Sequence, residues 1–164
     1  MVREFEDKDY WAIVLGGSSG LGLASALKLA EHGMNICIVH RDRRADLAKI
    51  EEQFERIKNK KVQFMSFNMD GLKSENLAMI LASLKERMGG KGKVRTFIHS
   101  VAKGHLKAMV DEHQSTLSNE DFRLTLDAMA ISLYHWTKAI FDSSLFSSDA
   151  RILAFTSEGN SKTW

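Results

Sequence analysis

The sequence predicts an α/β fold: a doubly wound, Rossmann-type parallel sheet with strand order 3-2-1-4-5. Apolar runs of strand length alternate with segments whose apolar residues recur at helical spacing, as parallel strands joined by crossover helices require. The first apolar run also ends in a glycine cluster. A chain with 11 glycines and no proline places Gly16, Gly17, Gly20 and Gly22, together with Ser18 and Ser19, between that run and the next helical segment. Glycine is costly inside a helix or strand, so the cluster marks a backbone that turns sharply or lies close to something.

Trp11–Leu15 is continuously apolar, which suits a first strand covered on both faces. Beyond the glycines, Leu23, Ala26, Leu27 and Ala30 recur at helical spacing, and Gly33 stands where a helix C-terminus favours glycine. Asn35–Val39 reads as the second strand, and Leu47, Ile50, Phe54 and Ile57 mark one face of a second helix. Lys61–Phe67 follows as the third strand, then Leu77, Ile80, Leu81, Leu84 and Met88 as a third helical stripe, and Val94–Ser100 as the fourth strand. Ser118 with Asp121 forms a capping-box pattern that opens a long helix over 119–144. One side of that helix carries Phe122, Leu126, Met129, Leu133, Trp136 and Ile140, another Leu124, Ala128 and Ile131. Two apolar sides predict burial against the sheet on one and a second subunit on the other, as a homodimer or homotetramer. Arg151–Ser157 reads as the fifth strand.

At 164 residues, with 44% hydrophobic and 27% charged residues, the chain is expected to form a single domain over 1–164. Lys and Arg outnumber Asp and Glu only by 23 to 21, which argues against nucleic acid or an anionic membrane as the main partner. The charged start "MVREFEDKDY" does not resemble a signal peptide, and no apolar run approaches the roughly 18 residues of a membrane span. The lone Cys37, in the apolar "NICIV", is expected to be a small buried hydrophobe in a protein of the reducing cytoplasm. His99, His105 and His113 match no common zinc spacing, so no metal is expected.

The pattern Gly16-x-x-x-Gly20-x-Gly22 sets a tight turn, a close backbone approach and a helix N-terminus in succession. Free N–H groups and the positive end of the helix dipole then converge where a pyrophosphate would fit. Ser18 and Ser19 add hydroxyl donors, Leu21 completes the turn, and the absence of Gly-Lys-Ser/Thr argues against a nucleoside-triphosphate loop. The alternative is a glycine turn that only packs helix against strand. After the second strand, where a carboxylate would hold an adenosine ribose, the chain has His40 and Arg41, with Arg43 and Arg44 beyond. Arg41 can fork onto a 2′-phosphate, which favours NADP over NAD. The alternative is a solvated charged turn.

With "LGGSSGLG", "VHRDR", "FNMDG" and "FIHSVAKG" at successive strand ends, the chain resembles the short-chain dehydrogenase/reductase family over nearly its whole length. Leu15 stands where that family has a Thr. The resemblance implies that Asp70 hydrogen-bonds the adenine amino group, with Met69 beside it and Asn68 as the alternative. It further implies that Ser100 and Val101 border the cofactor at the fourth strand. His99-Ser100, in place of the usual Asn-Asn, is similar to the enoyl-[acyl-carrier-protein] reductase branch. Met129 stands near the point where ketone-reducing members carry an Asn.

Ser157 corresponds to the family's catalytic Ser, or to the first of two active-site tyrosines in enoyl reductases. The family's Tyr and Lys lie further on, and Tyr10 and Tyr134 are in the wrong places for them. The expectation is therefore a C-terminally incomplete and, by itself, inactive part of an NADPH-dependent reductase of fatty acid biosynthesis, acting on a 2-enoyl thioester of acyl carrier protein. The alternatives are a 3-oxoacyl or other ketone reductase and a non-catalytic dinucleotide-binding protein.

Overall fold

The computed structural model describes residues 3–155. Its centre is a five-stranded parallel sheet of β1 (Tyr10–Leu15), β2 (Asn35–His40), β3 (Phe64–Asn68), β4 (Lys93–His99) and β5 (Phe146–Ala154). The strand order is β3-β2-β1-β4-β5, as the sequence predicts. The helices α1 (Gly20–Glu31), α2 (Leu47–Lys58) and α3 (Ser74–Arg87) follow β1, β2 and β3; α4 (Asn119–Leu126) and α5 (Ser132–Asp142) lie between β4 and β5. No helix among the described residues is long and apolar enough to cross a membrane.

The continuous apolar run of β1 follows from its central position. Trp11, Ile13 and Leu15 face a core built with Cys37, Ile80, Leu84, Phe97, Trp136 and Ile140, whereas Ala12 and Val14 face a second core with Ala26, Ala30, Ile38, Phe54 and Ile98. Each face of the strand is apolar because each meets its own helical layer. Burial also pushes the Cys37 thiol up to about 12, so the group stays protonated and acts as apolar filler.

Strand boundaries shift from the expected ones by more than one residue in two strands. β3 starts at Phe64 rather than Lys61, because Lys61 takes a left-handed turn (φ 59°) and Gln63 N–H is held by the Asn35 side chain. β5 starts earlier, at Phe146, and its pairing with β4 jumps from Val94↔Phe146 to Thr96↔Arg151 across an irregular stretch. The predicted end of that strand, Thr156 and Ser157, lies outside the described residues.

The long helix departs from the expected face. Phe122, Leu126 and Met129 are 47%, 56% and 43% exposed, and the buried residues are Asp121, Ala128, Ser132, Trp136 and Ile140. A wide π-type turn over Asp127–Ile131 separates α4 from α5. The residue it inserts rotates everything upstream by about 100° relative to α5. A regular helix would have aligned Phe122, Leu126 and Met129 with Trp136 and Ile140; the wide turn swings them into solvent. The capping box forms as predicted, with Asp121 N–H donating to Ser118 Oγ and Ser118 N–H to the Asp121 carboxylate.

Trp136 ties this helix to the turn after β3: its ring stacks on Phe97 with centroids 6.0 Å apart, and its indole N–H donates to the Gly71 carbonyl at 2.8 Å. Trp136→Phe keeps most of the packing and leaves that buried carbonyl without its donor. We expect a loss of about 2 kcal/mol of stability in urea unfolding; an unchanged midpoint would show that water replaces the bond at no cost.

Candidate functional site

Three of the glycines divide between two jobs, which their neighbours distinguish. A Cβ on Gly16 (φ +85°) would lie 2.3 Å from the Ser100 carbonyl oxygen, and one on Gly22 would lie 2.3 Å from the Gly16 carbonyl oxygen and 3.1 Å from Ser100 Cβ. Those two glycines let the ends of β1 and β4 and the first turn of α1 touch backbone to backbone. Gly16 N–H also donates to the Val39 carbonyl at 2.8 Å, and Ser100 N–H to that of Leu15 at 2.8 Å. Gly20 differs: its φ is +56° and nothing lies within 4 Å of its would-be Cβ. Packing therefore accounts for Gly16 and Gly22, while Gly20 supplies a left-handed step beside open space.

That open space adjoins the start of α1. The first intrahelical bond runs from Leu23 N–H to the Ser19 carbonyl at 3.1 Å, so the N–H groups of Gly20, Leu21 and Gly22 are the ones a helix leaves for an outside acceptor. The Ser19 hydroxyl makes no capping bond to them. Backbone donors, two serine hydroxyls and the helix dipole suit an anion here.

The cleft beside this turn, about 230 Å³, runs across the C-terminal ends of β1, β2, β3 and β4. Of the residues predicted from sequence, Gly16, Ser18, Ser19, His40, Arg41, Met69, Asp70, Ser100 and Val101 all line it. Gly20, Leu21 and Gly22 do not, and the Leu21 side chain is 62% exposed. Ser157 lies outside the described residues. Sequence reasoning missed Asp42 and Lys103, which also line the cleft. Lys103 could have been found in "FIHSVAKG", two residues past Val101.

At the β2–β3 end, the His40 ring is engaged by protein partners. Its Nδ1 lies 2.7 Å from the Asp42 carboxylate and its edge meets the Phe54 ring at 5.3 Å. Asn68 is also committed, since its side chain accepts from Asp42 N–H at 2.9 Å and donates to the Asp42 carbonyl at 3.2 Å. Asp70 is the carboxylate in the cleft. One oxygen accepts from Leu72 N–H at 3.1 Å and the other from Arg41 Nη1 at 3.0 Å, while Asn76 holds its backbone carbonyl at 2.9 Å. Arg41 stays 67% exposed, and its remaining donors are available to a ligand.

At the β4 end, His99 is 3% exposed and its Nε2 lies 2.7 Å from Ser132 Oγ. Burial holds its imidazole below the ordinary value, which keeps it neutral. Beyond Lys103 the chain is fastened to α4 by Asp121, whose carboxylate accepts from Ser118 N–H, from Lys107 Nζ at 2.9 Å, and pairs with His105 Nδ1. The Ser118 N–H first, then Lys107, hold that carboxyl well below the usual range. Among the described residues no group of three or more His, Cys, Asp or Glu is arranged to hold a metal ion.

The sequence model of the short chain dehydrogenase family matches residues 10–164. The uncharacterized oxidoreductase YhdF of Bacillus subtilis is 27% identical over 142 residues, covering 81% of this chain and 46% of that protein. Among solved structures, the alcohol dehydrogenase of the archaeon Thermococcus sibiricus, complexed with 5-hydroxy-NADP, is 26% identical with a TM-score of 0.64 over 82% of this chain and 52% of that one. The NADPH-dependent 3-quinuclidinone reductase of Rhodotorula rubra superposes with a TM-score of 0.72 at 17% identity, covering 93% of this chain and 53% of that one. The chain thus spans about half the length of these three proteins. With a glycine turn, a cleft across four strand ends and a family match over residues 10–164, it belongs to the short chain dehydrogenase family.

Proposed function

We propose that residues 1–164 form the dinucleotide-binding part of an NADPH-dependent reductase. The observation that carries this reading is the cleft itself, with the open start of α1 at Gly20 beside it and an exposed Arg41 guanidinium at the end where an adenosine ribose would sit. Arg41 gives one donor to Asp70 and keeps the others for a 2′-phosphate. The bound dinucleotide would supply the hydride; this chain's residues bind and orient it. Gly20, Ser18 and Ser19 take the pyrophosphate, Arg41 the 2′-phosphate, Asp70 the adenine, and Ser100 and Val101 the nicotinamide end.

For the substrate, His99-Ser100 at the end of β4 and the lack of an Asn in the wide turn favour a 2-enoyl thioester of acyl carrier protein. The names of the quinuclidinone reductase and the alcohol dehydrogenase favour the second reading, a ketone reductase. Tyr10 stands at the N-terminal end of β1 and Tyr134 on α5, and neither lines the cleft, which argues against either as the proton donor to substrate. We assign a catalytic role to Ser157 from the resemblance alone. The exposed Phe122, Leu126 and Met129 support a homo-oligomer formed through α4 and α5, and the lone buried Cys37 a cytoplasmic setting.

Arg41→Ala should weaken NADPH about tenfold or more and leave NADH nearly unchanged, as read by fluorescence titration. Equal NADPH affinity in both proteins would remove Arg41 from the site. Gly20→Val should abolish dinucleotide binding with the circular dichroism spectrum intact, because valine resists φ +56° and its branches enter the open space. Binding retained in that variant would leave the glycines a packing role only. Full-length protein assayed for NADPH oxidation should turn over crotonyl thioester faster than acetoacetyl thioester; the reverse order would favour the ketone reductase.

A further inference from the structure

His99 is the last residue of β4, paired in register with Leu15 of β1 and Ala154 of β5. A strand end buried to 3% needs only an apolar side chain, and a buried polar group costs free energy unless its bonds are made. Its ring meets Phe97 edge-on at 6.5 Å, and its Nε2 reaches Ser132 Oγ at 2.7 Å. Ser132 Oγ in turn lies 2.7 Å from the Ala128 carbonyl. The hydroxyl has one proton, which goes to that carbonyl, so His99 Nε2–H is the donor to Oγ.

This pair acts on the wide turn. In a regular helix Ser132 N–H would bond the Ala128 carbonyl; here it reaches back to Asp127, and the Ser132 hydroxyl takes Ala128 instead. Strand end, hydroxyl and widened turn are therefore one hydrogen-bonded unit. The residues that follow His99 without a break are Ser100 and Val101, which line the cleft at the end opposite Arg41 and Asp70.

We propose that His99, acting with Ser132, is a positioning residue that sets the nicotinamide end of the dinucleotide site by holding the Ser100–Val101 backbone in place against the wide turn at Ala128. This rests on the dinucleotide reading above. The pair touches no ligand itself. It governs one half of the cleft and leaves the adenosine half, built on β2 and β3, alone.

That asymmetry provides the test. NADPH and its adenosine half, 2′,5′-ADP, are titrated against the wild type, Ser132→Ala, His99→Phe, the double variant and His99→Gln. The expected result is a loss of about tenfold in NADPH affinity for either single variant, with 2′,5′-ADP changed by less than about twofold. The double variant should be no weaker than either single one, and His99→Gln, which retains a donor, should recover most of the loss. Equal weakening of both ligands would mean a general structural role and overturn the proposal, as would no change in either. Should His99→Phe fail to fold, Ser132→Ala, which removes one oxygen, decides the matter alone. A wild-type protein that binds neither ligand would instead overturn the dinucleotide reading and this inference with it.

Discussion

The contact on which the rest of the structure depends is backbone on backbone: the end of β1 against the end of β4, at the point where the strand order reverses. A Cβ at Gly16 would be 2.3 Å from the Ser100 carbonyl oxygen, well inside contact distance. Only glycine lets the two strand ends close, and Gly22 then lets α1 start directly over Gly16. With those approaches made, α1 begins with its unpaired N–H groups at the edge of the cleft. A side chain at either position would push α1 or β4 outward and open the site from its middle.

The cleft has an electrostatic layout that follows from the lengths of its side chains. Asp70 is short and tied down by Leu72 N–H and Asn76, so its carboxylate is a fixed point. Arg41 is long and exposed, and reaches across from β2 to meet it. An ion pair this exposed contributes little to stability. Its consequence is orientation, since a guanidinium held by one donor presents the others in a defined direction.

At the opposite end the organising feature is the wide turn between α4 and α5. It turns Ala128 toward the sheet and Phe122, Leu126 and Met129 away from it, so one inserted residue leaves the Ala128 carbonyl to the Ser132 hydroxyl and sets an apolar stripe on the surface. Trp136, one turn further on, locks the same helix to Gly71 beside Asp70. The two ends of the cleft are thus supported by neighbouring turns of a single helix.

The sequence by itself determined the strand–helix alternation, the strand order, the glycine turn and the capping box at Ser118, because each depends on local pattern: two-sided burial, helical spacing, or a cap three residues from its partner. It also brought out most residues of the cleft, since a doubly wound sheet gathers its strand ends at one edge. Only the tertiary structure decided what those residues do with their side chains. His40 and Asn68 stand in the right strand-end positions, yet one ring turns to Asp42 and Phe54 and the other amide closes on Asp42, through contacts made across chain turns that no spacing encodes. The buried face of the long helix escaped for the same reason. A widened turn leaves the composition of a helix untouched and changes only its phase, and that phase is chosen by the sheet it packs against, through His99 and Trp136.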